Sequence, residues 1–162
     1  MRILGVDPGS QKAGVGIVDA CGHRLTHVHH EVIRCGNGPF DERLHVLFCR
    51  LRDIIDQFMP EAAAIEDVFV SRNALSSLKL GQARGALIAC CRDRGLAVVA
   101  YPPTRVKQAV VGTGRADKIQ VQHMIRVLLH PPEPLAEDAA DALAVAICHA
   151  HHIPMQQVRH RT

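Results

Sequence analysis

Leu135-Ala136-Glu137-Asp138-Ala139-Ala140-Asp141-Ala142-Leu143-Ala144-Val145-Ala146-Ile147-Cys148-His149-Ala150 is the stretch on which the fold turns. From Ala139 to Cys148 every residue except Asp141 is small or apolar. A helix of that composition is hydrophobic on nearly every side and must be largely buried. Asp138 and Asp141 nevertheless stand at i and i+3, which places both carboxylates on one helix face, one turn apart. Two anions cannot leave water together without compensation, because each costs several kcal/mol to desolvate and like charges raise one another's pKa. A helix N-terminus is one compensator, with Asp138 in the first turn and Glu137 as a cap, but it serves Asp138 better than Asp141. The other is a divalent cation shared with acids from elsewhere in the chain.

Two further acids stand where such a site needs them. Arg2 to Val6 reads as a short apolar strand ending at Asp7-Pro8-Gly9-Ser10, and Ala62 to Ile65 as a second one ending in Glu66 and Asp67. Between them lies a helical repeat of Leu44, Leu47, Leu51, Ile54, Ile55 and Phe58, closed by Pro60. A strand that follows a helix can lie parallel to the first strand. If the two are neighbours, Asp7 and Glu66 emerge at the same edge of the sheet, where the acidic helix can meet them.

Outward from these acids the elements come in a regular order. Ala13 to Val18, with Gly14 and Gly16 interleaved, predicts a second strand paired with the first, and Leu25 to Arg34 a third, more exposed one. His27 and His29 there are read as surface residues. Asn73 caps a helix running to about Arg92, in which Gly81 and Gly85 each cost about 1 kcal/mol relative to alanine. Close approach of another backbone, within the fold or across a dimer interface, would compensate them. Ala97 to Ala100 predicts the last strand, ended by Pro102 and Pro103. Gly112-Thr113-Gly114 marks a loop before a helix starting at Ala116 or Asp117 and ending at Leu129, with Lys118, Gln122 and Arg126 on its polar face. Pro131, Pro132 and Pro134 separate it from the acidic helix. Residues 151–162, with His151 and His152, are expected to form a flexible tail rather than a metal site.

Composition narrows the class. At 162 residues with 48% hydrophobic and 22% charged content, the chain fits a single globular domain over residues 1–150. No run approaches the roughly 18 apolar residues of a membrane span, so a cytoplasmic protein without membrane contact is expected. The six cysteines form no C-x-x-C pair and suggest neither zinc nor a disulfide framework. From Arg72 to Arg126 there are ten Lys or Arg against two acids, a balance of +8, whereas the remainder carries nine against fourteen, or −5. A basic surface beside an acidic patch suits a polyanion held next to bound metal.

The predicted order is strand, strand, strand, helix, strand, helix, strand, then helices: an α/β chain with a mixed five-stranded sheet flanked by helices, resembling the ribonuclease H-like fold. Five motifs narrow the resemblance: Gly5-Val6-Asp7-Pro8-Gly9-Ser10, Ile65-Glu66-Asp67-Val68-Phe69, Leu78-Lys79-Leu80-Gly81-Gln82-Ala83-Arg84-Gly85, Val106-Lys107-Gln108-Ala109-Val110-Val111-Gly112 and Asp138-Ala139-Ala140-Asp141-Ala142-Leu143-Ala144. Together, in this order and spacing from about Ile3 to His149, they resemble the RuvC family of bacterial Holliday junction resolvases. That resemblance implies a homodimeric endonuclease making paired symmetric nicks in four-way junction DNA during recombination and repair, leaving 5′-phosphate and 3′-hydroxyl ends. It implies Asp7, Glu66, Asp138 and Asp141 as ligands of two Mg²⁺ ions about 4 Å apart, with Mn²⁺ as a substitute, although members vary at the position of Asp141. It further implies that Lys107 and Lys118 stand near the scissile phosphate; the plainer alternative is a pair of solvated lysines on a basic face. Phe69 matches a position associated with stacking on a junction base, against core packing as the alternative. Arg72, Asn73, Lys79, Arg84 and Arg105 are candidates for DNA backbone contacts. The family works with the branch-migration proteins RuvA and RuvB, which are the implied partners.

Three other readings stay open. Asp7-Pro8-Gly9-Ser10 followed by glycines also resembles the first phosphate loop of actin and hexokinase-like phosphotransferases, but 162 residues leave no room for the second lobe that encloses their nucleotide. A ribonuclease H-like nuclease acting on structured RNA lies nearer. A junction-binding protein without catalysis is the third, and the acids speak against it, since anions facing phosphate weaken binding unless metal neutralises them.

Overall fold

The computed structural model describes residues 1–153. Three strands come first: β1 (Arg2–Asp7), β2 (Lys12–Cys21) and β3 (Arg24–Arg34) form an antiparallel meander. Helix α1 (Phe40–Phe58) then carries the chain back, so that β4 (Ala62–Glu66) pairs parallel to β1. Helix α2 (Ala74–Asp93) repeats the crossover, and β5 (Val98–Tyr101) joins β4 in parallel. The sheet order is β3-β2-β1-β4-β5, mixed as expected. Three helices complete the fold: α3 (Pro103–Val111), α4 (Lys118–Leu129) and α5 (Glu137–His152).

Strand alternation sorts the core into two layers. Leu4, Val6, Ala13, Val15, Ile17, Ala63 and Ile65 point to the face covered by α1 and α2, where they meet Leu47, Leu51, Ile54 and Leu87. Ile3, Val18 and Ala64 point to the opposite face, covered by α5 with α3 and α4 outside it. The middle of α5 is buried all round, from Ala142 through His149, as its composition requires.

Two expectations need correction, and one helix is additional to those expected from the sequence. Pro102 and Pro103 end β5 as expected. Pro103 opens α3, because proline's fixed φ and missing N–H are no handicap in the first turn of a helix. The C-terminal boundary also moves: His151 and His152 belong to α5, and His149 is buried with its Nδ1 2.9 Å from the Tyr101 hydroxyl, a hydrogen bond that fastens the helix end to β5. The rest of the expected tail, residues 154–162, lies outside the described residues. Finally, Glu137 does not cap α5. The capping position is Ala136, without a side-chain bond, and Glu137 pairs with Lys118 instead.

His27 and His29, expected at the surface, are half-buried: His27 bonds to His30 at 2.8 Å and His29 bonds to Glu31. All six cysteines are free. No described helix is long and apolar enough to cross a membrane.

Candidate active site

The site exists because α5 can lie directly on the sheet. Ile3, Gly5 and Asp7 alternate onto the α5 face of β1, and Gly14 and Gly16 onto the same face of β2. A Cβ at Gly5 would stand 2.1 Å from the Ala142 carbonyl oxygen, and one at Gly14 would stand 1.9 Å from that of Asp138. Neither distance is physically attainable, so only glycine lets the helix backbone descend to this depth. The interleaved Gly14 and Gly16 are therefore, with Gly5, a seat for α5.

Two strand ends meet the start of that helix. β1 and β4 are parallel neighbours with Val6 opposite Ile65, so Asp7 and Glu66 leave the sheet side by side. Asp138 and Asp141 approach from the first turns of α5. All four line one cavity of about 280 Å³, which Lys107 from α3 and Lys118 from α4 also line. Sequence reasoning named these six residues, and the tertiary structure brings all six together. Lys118 owes its position to the helix start, where Asp117 and Gln120 form a reciprocal capping box.

The carboxylates disturb one another strongly. Burial, then the charges of Glu66, Asp141 and Asp138, push the Asp7 carboxyl up to about 8, with Lys118 opposing. Glu66 is pushed up to about 7, first by burial and then by Asp141, against Lys107 and Lys118. Asp141 is also raised, chiefly by burial. Lys118 is raised in turn, mainly by its hydrogen bond to Glu137. Among the described residues no three acids, histidines or cysteines already converge to the spacing of a bound ion. Oxygen donors alone, partly buried and short of positive charge, are nonetheless the chemistry of a hard divalent cation. The donor set fits Mg²⁺ or Mn²⁺, and such an ion would relieve the repulsion that raises Asp7 and Glu66.

The remaining candidates divide. Phe69 is 70% exposed and its neighbour Val70 is 90% exposed, which rules out core packing for the ring. Arg72 and Arg105 are exposed as well. Asn73 caps α2, its side chain accepting the Ser76 N–H at 3.1 Å. Lys79 lies over the Phe40 ring, 5.9 Å from its centroid. Arg84 turns inward: its guanidinium donates to Asp67 Oδ1 at 2.9 Å and to the Glu66 carbonyl at 3.3 Å, bracing the strand end that carries Glu66.

One site neighbour escaped sequence reasoning. Lys12, at the start of β2, pairs with Asp138 Oδ2 at 2.8 Å. Its signal was its place, a lone lysine five residues after Asp7.

The chain is similar to known proteins over nearly its whole length. The family model described as Crossover junction endodeoxyribonuclease RuvC matches residues 3–149. The crossover junction endodeoxyribonuclease RuvC of Geobacter sp. (strain M21) is 56% identical over 156 residues, covering 96% of this chain and 95% of that protein. The Pseudomonas aeruginosa (strain LESB58) protein of the same name is 52% identical, covering 92% and 86%. Among solved structures, T. thermophilus RuvC in complex with Holliday junction substrate superposes with a TM-score of 0.86 at 37% identity, covering 93% of each chain. The yeast mitochondrial Holliday junction resolvase shares the fold, at a TM-score of 0.66 and 11% identity, covering 91% of this chain and 78% of the other.

Proposed function

The chain belongs to the RuvC family of crossover junction endodeoxyribonucleases, and from that premise we infer that it resolves Holliday junctions with the chemistry seated in the cavity of Asp7, Glu66, Asp138 and Asp141. Its fold is ribonuclease H-like, and it is a metal-dependent nuclease acting in DNA recombination and repair. The observation that carries the site assignment is the convergence of four carboxylates from β1, β4 and α5 on one cavity faced by two lysines.

Asp7, Glu66, Asp138 and Asp141 would hold two Mg²⁺ ions, or Mn²⁺ in their place, which supply Lewis-acid polarisation of the scissile phosphate and an activated water. The chain's own residues do the rest. Asp7 and Glu66, fixed on neighbouring strand ends, provide negative charge at rigid positions. Lys107 and Lys118 bring positive charge into the same cavity, to offset the charge that accumulates on a phosphate during in-line displacement. Hydrolysis of this kind leaves 5′-phosphate and 3′-hydroxyl ends. Phe69, held out into solvent between β4 and α2, offers a ring on which an unstacked junction base can lie. Arg72, Lys79 and Arg105 add positive charge for the DNA backbone.

The chain acts as a homodimer, since paired nicks need two sites related by the two-fold axis of an open junction. The exposed side of α2 supports this: Leu75 and Leu78 are 62% and 64% exposed, and a Cβ on Gly81 or Gly85 would meet nothing within 4 Å. The close approach those glycines permit is therefore not made within one subunit. RuvA and RuvB are the further partners.

Cleavage of a four-way DNA junction, its duplex arms and a structured RNA, each with Mg²⁺ and with EDTA, tests the reading. Paired junction nicks that need metal are expected, and Glu66→Gln, Asp138→Asn or Asp141→Asn should abolish or impair them while binding persists. Wild-type cleavage by such a variant removes that residue from the site, and preferential RNA cleavage overturns the substrate. Sedimentation of wild type and Leu78→Asp tests the dimer: a species of about twice the 17.7 kDa chain is expected, shifted toward monomer in the variant. An unchanged dimer in Leu78→Asp excludes α2 as the interface.

A further inference from the structure

Of the four cavity carboxylates, Asp138 differs in carrying a cation that the chain itself supplies. Lys12 Nζ lies 2.8 Å from Asp138 Oδ2. Among the described residues no Lys, Arg or His forms an ion pair with Asp7, Glu66 or Asp141, and the Lys118 ammonium is engaged by Glu137. The meeting of Lys12 and Asp138 is built into the fold. Lys12 opens β2 opposite Arg34 of β3, and two residues later Gly14 lies directly beneath the Asp138 carbonyl. The backbone on both sides of the pair is thereby fixed, and only the lysine stem is free to move. Its side chain is 48% exposed against 25% for Asp138, so the ammonium reaches the carboxylate from the rim.

We propose that Lys12 competes with the divalent cation for Asp138 and so sets the cation concentration at which the site fills. The proposal rests on Asp138 being a metal ligand. An ammonium 2.8 Å from a carboxylate oxygen places a positive charge where a metal must enter. A partly exposed pair of this kind is weak enough to be displaced, and its half-exposed lysine can swing into solvent when a cation takes the carboxylate. The cost of that exchange falls on every binding event. Lys12 is in this role neither catalytic nor a structural tie, but a counter-ion that tunes occupancy.

The test is direct binding of Mn²⁺ to EDTA-stripped full-length protein, read from the paramagnetic resonance signal of the free ion. Lys12→Met keeps the stem and removes the charge, and it should bind Mn²⁺ roughly three- to tenfold tighter, the scale of releasing one ion pair and one nearby positive charge. Lys12→Gln should do the same, and Lys12→Arg should stay close to wild type. The gain should persist in about 0.5 M KCl, where screening suppresses general field effects more than a contact. Unchanged or weaker binding in both neutral variants overturns the proposal, as does a gain that vanishes in salt. Asp138→Asn separates the two failures. Wild-type Mn²⁺ binding in that variant overturns the metal reading of Asp138 and the competition together, whereas weakened binding alongside an unaffected Lys12→Met overturns the competition alone.

Discussion

Replacing Asp7 by Asn should abolish cleavage and, in EDTA, make the protein more stable. The Asp7 carboxyl is pushed up to about 8 by burial and by the neighbouring acids Glu66, Asp141 and Asp138. In the unfolded chain the same group titrates near ~3.9. The folded protein therefore holds this proton more tightly than the unfolded one. That contribution to stability is complete below about pH 4 and is lost as pH rises through the folded value. At pH 7 the ionising side chain thus disfavours the fold by up to about 4 kcal/mol, at about 1.4 kcal/mol for each pH unit above the unfolded pKa. Local relaxation and water entry reduce that figure. Half of it, about 2 kcal/mol, still corresponds to about 4–8 °C in melting temperature for a chain of this size. Asn has the shape of the protonated acid and no charge to bury. Thermal unfolding followed by circular dichroism between pH 4 and 8.5 in EDTA should show wild type and Asp7→Asn melting together near pH 4, with the variant ahead by several degrees near pH 7.5. Adding Mg²⁺ should narrow the gap, because a bound cation stabilises only the folded wild type to full extent. An Asn variant no more stable than wild type at pH 7.5 would refute the account of Asp7 as a strained anion. A gap that Mg²⁺ leaves unchanged would refute its role as a metal ligand.

Gly14→Ala should lower both stability and cleavage, since its methyl would fall 1.9 Å from the Asp138 carbonyl oxygen and must lift the start of α5. Overpacking of this kind costs about 1–3 kcal/mol, which denaturant melts will read, and excess Mg²⁺ should not restore the rate. Phe69→Ala should weaken junction binding by about 1–3 kcal/mol in anisotropy titrations without moving the melting temperature, as for a stacking ring outside the core. A lower melting temperature with unchanged binding would make Phe69 a folding contact. Arg84→Ala should slow single-turnover cleavage at saturating junction more than it weakens binding, because its guanidinium braces the Glu66 carbonyl and Asp67. A binding loss with a flatter salt dependence and an intact rate would assign it to DNA phosphate instead.

Much of this protein was legible because its signals are local and periodic. The strand runs of β1 and β4, the helical repeat of Leu47, Leu51 and Ile54, and the turn residues between them predict the element order. The apolar surround of Asp141 predicts a buried α5, and the i, i+3 spacing predicts two carboxylates on one face. Motif order and spacing reached further and gave the family before any contact was known. What the chain could not reveal depends on which surfaces meet. Pro103 breaks a strand or starts a helix with equal ease, so α3 and the cavity wall bearing Lys107 emerged only from packing. Gly81 and Gly85 read as a site of close approach, and only the fold places them on an open face of α2. Gly5 and Gly14 read only as glycines within strands until α5 is laid across them. The partners of Lys12, Arg84 and His149 are likewise long-range: each reaches across the sequence to a residue outside its own element, Asp138, Asp67 and Tyr101. Periodicity fixes which residues share a face of one helix or strand. It carries no information about the depth at which two faces settle, and in this protein that depth, set by glycines in β1 and β2 against α5, is what closes four separate acids into one site.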